Sequence, residues 1–152
     1  MRNLEETPHH LADKRGRQVN YLRLSVTDRC NLRCSYCSSI AGFKFVEHKN
    51  ILTFEELERL ISITAQAGVD KVRLTGGEPL VRKGLVDFVG RVLKRHPNLA
   101  LRLTTNATLL ADKVDDLTRA GLTAVNISLD ALEREDYARI TGTDAYHDVR
   151  LA

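Results

Sequence analysis

From Tyr21 onward, short β-like segments alternate with helical ones four times, and this alternation constrains the fold more than any other feature. Residues 21–26 (YLRLSV), 71–75 (KVRLT), 100–105 (ALRLTT) and 124–130 (AVNISLD) read as strands. Between them, apolar residues recur at helical spacing. Phe54, Leu57, Leu60, Ile61 and Ala65 mark a helix over 53–67. Thr53 followed by Glu56 forms a capping box at its start, and Gly68 supplies the stop. Further helices are expected over 84–95, 111–120 and 133–140. Strand then helix, repeated, means parallel βαβ units joined by right-handed crossovers. The chain is therefore α/β, with helices on one face of a parallel sheet. The other face carries more helices in an open sheet, or lines the inside of a barrel.

Side-chain alternation along the strands favours the barrel. Leu22, Leu24 and Val26 share one face of the first strand, with Arg23 and Ser25 on the other. Val72 and Leu74 stand against Arg73 and Thr75, Leu101 and Leu103 against Arg102 and Thr104. Val125, Ile127 and Leu129 stand against Asn126 and Ser128. A sheet buried on both faces would read as continuous aliphatics. A polar, cationic face suits either solvent or a lumen built for an anionic ligand, which arginine grips bidentately. The unusual residues also cluster at one rim. Cysteines follow the first strand, Gly76-Gly77-Glu78-Pro79 the second and Asn106 the third, while Asp130 ends the fourth. Ligands bind at the C-terminal ends of strands in barrels and open α/β sheets alike.

The composition excludes several classes. Residues 1–18 are polar and contain Pro8, His9, His10 and Gly16, and they read as a flexible arm before a core domain over 19–152. The formal net charge is +3, and no basic face is studded with aromatics, so nucleic acid is not an expected partner. No apolar run approaches the ~20 residues of a membrane span, and MRNLEETPHH has no apolar core of a secretory signal.

All three cysteines fall within eight residues, as C-x₃-C-x₂-C at Cys30, Cys34 and Cys37. An odd number in a chain without an export signal argues against a disulfide framework. Three close thiolates suit one soft metal centre. The alternatives are zinc, with His48 or another histidine as fourth ligand, and an iron–sulfur cluster. Structural zinc usually takes two C-x₂-C pairs, or one pair with a histidine pair, and neither is present. Three cysteines can instead hold three irons of a [4Fe–4S] cube and leave the fourth open.

The cysteine loop, with Tyr36 just before the third cysteine, and the Gly76–Pro79 segment together resemble the radical S-adenosylmethionine (radical SAM) superfamily. Within it, LRLSVTDRCNLRCSYC, VRLTGGEPLVR, LTTNA, AGLTAVNISLDAL and ITGTDAYHDV are similar to the GTP 3′,8-cyclase family of molybdenum cofactor biosynthesis. That resemblance implies a partial (β/α)₆ barrel of which this chain holds the first four βα units. It implies a [4Fe–4S] cluster on Cys30, Cys34 and Cys37, whose open iron is chelated by SAM. Reduction of the cluster then yields a 5′-deoxyadenosyl radical that abstracts hydrogen from substrate. Tyr36, Gly77, Glu78 and Ser128 would contact SAM, Gly77 through its backbone and Glu78 at the methionine amino group. Arg23, Arg73 and Thr104 would bind GTP. An electron donor and a homodimer are further expected partners, and an oxygen-sensitive cluster points to the cytoplasm.

The chain departs from the family at three places. Ser38-Ser39 follow the third cysteine where Met-Pro or Leu-Pro is usual, and Ala107 follows Asn106 where Gly is common. The family also carries a second three-cysteine cluster and a GTP-binding lysine in a C-terminal region. Here the first motif uses all three cysteines, so the sequence reads as the N-terminal part of such an enzyme, without full cyclase activity by itself. A different radical SAM enzyme, such as a peptide-modifying one, and a zinc-stabilised module without catalysis are the competing readings.

Overall fold

A computed structural model describes residues 11–38 and 45–152. Residues 1–10 of the expected arm, with His9 and His10, and Ser39 of the loop after the cysteines lie outside the described residues. Four strands form one parallel sheet: β1 (Tyr21–Ser25), β2 (Lys71–Thr75), β3 (Ala100–Thr105) and β4 (Val125–Ile127). Their spatial order is their chain order, β1-β2-β3-β4. A doubly wound sheet reverses direction at a switch point. Sequential order with right-handed crossovers instead puts every connecting helix on the same side, as in a barrel wall.

The helices are α1 (Ser35–Ser38), α2 (Phe54–Gln66), α3 (Leu85–Arg95), α4 (Val114–Arg119), α5 (Arg134–Thr141) and α6 (Tyr146–Leu151). One core joins the aliphatic strand face to the helices. Leu24, Val72, Leu74, Leu101 and Leu103 pack with Leu57 and Ile61 of α2, Phe88, Val89 and Val92 of α3, and Leu117 of α4. Phe54 and Phe88 stack at 4.7 Å between centroids, fastening α2 to α3. Alternation dictates this arrangement, because burying one strand residue exposes its neighbour to the other face.

The capping box at α2 is complete. Thr53 Oγ1 accepts from Glu56 N, and Thr53 N donates to Glu56 Oε2 at 2.7 Å. Thr53→Ala removes one half of it and is expected to lower stability by about 1 kcal/mol, read as a shift in urea midpoint.

Three elements differ from the sequence reading. The third helix begins three residues late, at Val114, because residues 108–113 form turns. The fourth strand is only Val125–Ile127. Among the described residues it lies at the sheet edge and pairs with β3 alone, and Val125 and Ile127 on its aliphatic face are 41% and 44% exposed. α1 and α6, of four and six residues, are too short to show helical periodicity. Within the stretch read as an arm, Leu11 N donates to Ala67 O, and Ala12 bridges Gln18 antiparallel.

No helix among the described residues is long and apolar enough to cross a membrane.

Candidate active site

The sheet ladder continues past the ends of β1 and β2 into both site loops. Val26 N donates to Thr75 O, Gly77 N to Thr27 O at 2.8 Å, and Glu78 N to Arg29 O at 2.7 Å. The segment entering Cys30 is thus stitched to the Gly-Gly-Glu loop by backbone alone. This explains both glycines. A Cβ on Gly76 would lie 2.1 Å from Thr27 O, and one on Gly77 would lie 2.2 Å from Arg29 O. Gly76 also has φ +142°, which disfavours a side chain independently. The close approach that demands glycine here is loop to loop, whatever the backbone does toward a ligand. Arg82 adds a further tie, donating to Val26 O and to Leu52 O from above the Phe54 ring.

Glu78 is 1% exposed. Its Oε1 accepts from Leu80 N at 2.9 Å and Thr105 Oγ1 at 2.8 Å, and its Oε2 from Asn106 N at 2.7 Å. The carboxylate therefore clamps the β2 loop to the β3 loop. Burial pushes its pKa up, against three hydrogen bonds that favour the ionised form. No ion pair involves Glu78 among the described residues. Ala107, next to the clamp, has φ +63°, the left-handed conformation in which glycine is preferred, and this accounts for the family's usual residue there.

The three cysteines lie on one loop but in different surroundings: Cys34 is buried, Cys30 half-buried and Cys37 exposed. Leu32 N donates to Cys30 Sγ at 3.4 Å, and Asn106 Nδ2 to the same sulfur at 3.8 Å. Burial raises the Cys34 pKa most, a hydrogen bond with Tyr36 works against it, and Asp130, Cys37 and Cys30 add to the rise. Tyr36 reaches from α1 to the end of the β4 segment, where its hydroxyl donates to Asp130 at 3.1 and 3.2 Å. Although the Tyr36 side chain is exposed, partial desolvation, Cys34 and Asp130 all push the phenol above its ordinary value, so it remains a donor. Arg29 and Arg33, which flank the thiols, donate to backbone carbonyls, Arg33 to those of the cysteine loop itself. Arg29 donates to Val46 O, and Arg33 to Cys30 O and Leu32 O.

The polar sheet face is as the alternation requires. Arg23, Arg73 and Arg102 stand in register across three strands, and Thr104 faces Asn126. Like charges side by side on a sheet repel. Arg73 Nε and Thr104 Oγ1 are buried and lack a hydrogen-bond partner among the described residues. Ser128 is exposed at the end of β4, with its backbone N donating to Thr105 O. Arg23, Arg73, Thr104 and Ser128 thus lie on the polar face or at its end, and Cys30, Cys34, Tyr36, Cys37, Gly77 and Glu78 in the segments that follow β1 and β2. The clamp by Glu78 and the tie by Arg82 were not foreseen, and a single sequence holds no signal for either.

A model of the radical SAM superfamily matches residues 24–152. The chain belongs to that superfamily. GTP 3′,8-cyclase of Heliobacterium modesticaldum is 50% identical over 139 residues, which are 91% of this chain and 42% of that protein. The Geobacter sulfurreducens GTP 3′,8-cyclase is 49% identical over 131 residues, covering 86% and 40%. The chain thus spans about two fifths of the length of these curated relatives. Among solved structures, Streptococcus suis SuiB bound to S-adenosylmethionine superposes with a TM-score of 0.70 at 21% identity, over 87% of this chain and 30% of that one. The enzyme anSMEcpe with bound AdoMet gives 0.65 at 23%, over 86% and 38%. The fold of this radical SAM chain is shared with them.

The family implies a [4Fe–4S] cluster and S-adenosylmethionine, and a set of three cysteines on one loop fits the cluster. Among the described residues no three His, Cys, Asp or Glu side chains meet around one ion position. A single zinc needs every thiolate about 2.3 Å from one centre. A cube offers a separate iron to each of Cys30, Cys34 and Cys37.

Proposed function

We propose that this chain is the N-terminal part of a GTP 3′,8-cyclase, with residues 19–152 forming the first four βα units of its barrel. The reaction would convert GTP to (8S)-3′,8-cyclo-7,8-dihydroguanosine 5′-triphosphate in molybdopterin biosynthesis. When bound and reduced by an electron donor, the cluster supplies the electron that turns SAM into methionine and a hydrogen-abstracting 5′-deoxyadenosyl radical.

The protein's own residues divide the remaining work. Cys30, Cys34 and Cys37 hold the cluster. Tyr36, Gly77 and Ser128 line the rim on the SAM side. Glu78 serves that side by fixing the loop that carries Gly77, since its carboxylate oxygens already accept three protein hydrogen bonds. Arg23, Arg73 and Thr104 receive GTP on the polar face. One observation carries the substrate assignment: a buried guanidinium nitrogen and a buried hydroxyl on that face lack partners. Such groups are costly unless a ligand satisfies them. A triphosphate or a nucleoside's polar edge would do so. Near-50% identity to enzymes named for GTP supports the same choice over a peptide substrate.

The experiment is Arg73→Ala in the full-length enzyme, with GTP affinity measured by equilibrium binding. Loss of a charged hydrogen bond of about 1.5–3 kcal/mol predicts roughly 10- to 100-fold weaker binding. Unchanged affinity favours a different radical SAM substrate, such as a peptide.

A further inference from the structure

The side chain of Asn106 has no place in the proposed chemistry, yet every polar atom of it is committed. Its Oδ1 accepts from Thr108 N at 3.1 Å and from Thr108 Oγ1 at 2.8 Å. Its Nδ2 donates to Asn31 Oδ1 at 3.0 Å and to Cys30 Sγ at 3.8 Å. Asn31 Nδ2 in turn donates to Thr108 Oγ1 at 2.7 Å, closing a ring of three side chains. The backbone N of Asn106 is held by Glu78 Oε2 at 2.7 Å. These partners settle which end of the amide carries the nitrogen: Thr108 N is a donor and demands Oδ1, so Nδ2 must face the sulfur.

We infer that Asn106 is a positioning residue for the iron–sulfur centre: its amide N–H, aimed at Cys30 Sγ, raises the cluster's reduction potential. The inference rests on the radical SAM reading of the three cysteines. The physical reason is direct. A reduced cluster carries one more negative charge, spread partly onto its thiolate sulfurs. A hydrogen-bond donor to such a sulfur stabilises the reduced form more than the oxidised one. Leu32 N supplies one donor from within the cysteine loop. Asn106 supplies another from β3's loop, so the potential at Cys30 depends on how Glu78 joins the loops.

The test is a potentiometric titration, followed by electron paramagnetic resonance, of the anaerobically reconstituted holoprotein and two variants. Asn106→Ala deletes the donor. Asn106→Asp keeps the shape and the acceptor for Thr108 but puts an oxygen toward the sulfur. Both are expected to shift the ratio of reduced to oxidised cluster about tenfold toward oxidised at a fixed ambient potential, a lowering of about 59 mV for one electron. Thr108→Val, which removes one anchor of the amide and leaves the donor, is expected to give a smaller shift in the same direction. If Asn106→Ala and Asn106→Asp load iron like the parent and titrate at its potential, the inference is wrong. If the parent itself binds no iron–sulfur cluster, the radical SAM reading fails and the inference with it. A variant that loses its fold is recognised by its circular dichroism, and the isosteric Asn106→Asp then decides.

Discussion

Gly77→Ala is expected to leave the protein unable to hold iron. The added Cβ would sit 2.2 Å from Arg29 O, 2.6 Å from Arg29 C and 2.9 Å from Asp28 O. All three are backbone atoms, so no rotamer change relieves the clash. Either the Gly77 N–Thr27 O bond or the Glu78 N–Arg29 O bond must open, and the segment that delivers Cys30 moves with it. Overpacking against a fixed backbone costs about 3 kcal/mol or more. Iron per chain after anaerobic reconstitution should fall close to zero, with a lowered urea midpoint. Gly90→Ala provides the contrast. Its Cβ would meet nothing nearer than Ala120 Cβ at 3.7 Å, inside α3. There alanine is the better helix former, and a gain of about 0.5–1 kcal/mol with full iron loading is expected. Normal iron content in Gly77→Ala would refute the loop-to-loop account of that glycine.

Removing the Glu78 carboxylate is expected to be nearly as severe. Glu78→Ala leaves Leu80 N, Thr105 Oγ1 and Asn106 N without their acceptor in a buried place. At about 1–3 kcal/mol for each stranded donor, partly relieved by rotation of the hydroxyl, the loss is about 3–5 kcal/mol. Glu78→Gln retains one oxygen and fails mainly at Asn106 N, so it should cost less. The same carboxylate gives stability a distinctive pH dependence. Burial raises its folded pKa above the ordinary value of 4.5. Between that value and the raised one, the folded protein holds the proton while the unfolded chain has released it. The contribution of Glu78 to stability is therefore fully present below about pH 4.5 and is lost as pH rises through the folded pKa. This is opposite to the behaviour of a salt-bridged carboxylate. Urea midpoints of the parent minus those of Glu78→Gln, measured from pH 4.5 to 7.5, should shrink as pH rises. A constant or growing difference would show that the hydrogen bonds outweigh burial.

What could be read from the sequence follows from the range of each interaction. Strands β2 and β3 run over the expected residues because alternation is a local property, and α2 is fixed by its own cap. β4 is shorter than its pattern because strand length also depends on a pairing partner, and among the described residues it pairs with β3 alone. The polar face carrying Arg23, Arg73 and Thr104 was legible from period two alone. The inward turn of Glu78 was not, because its donors Thr105 and Asn106 lie 27 and 28 residues away. For Gly77, the requirement for glycine was legible in the motif; the neighbour that imposes it became apparent only with Arg29 beside it.

The continuation of the β1–β2 ladder into the cysteine loop has a consequence for damage and repair. On the proposed role of the cysteines, these backbone bonds would keep the approach to Cys30 in place if oxygen stripped a bound cluster. The emptied protein would then resemble a mould more than a melted chain, and refilling would require iron and sulfide but no refolding of that approach. Cycles of oxidative loss and reloading should accordingly leave slow-exchanging amides at Val26, Gly77 and Glu78 throughout.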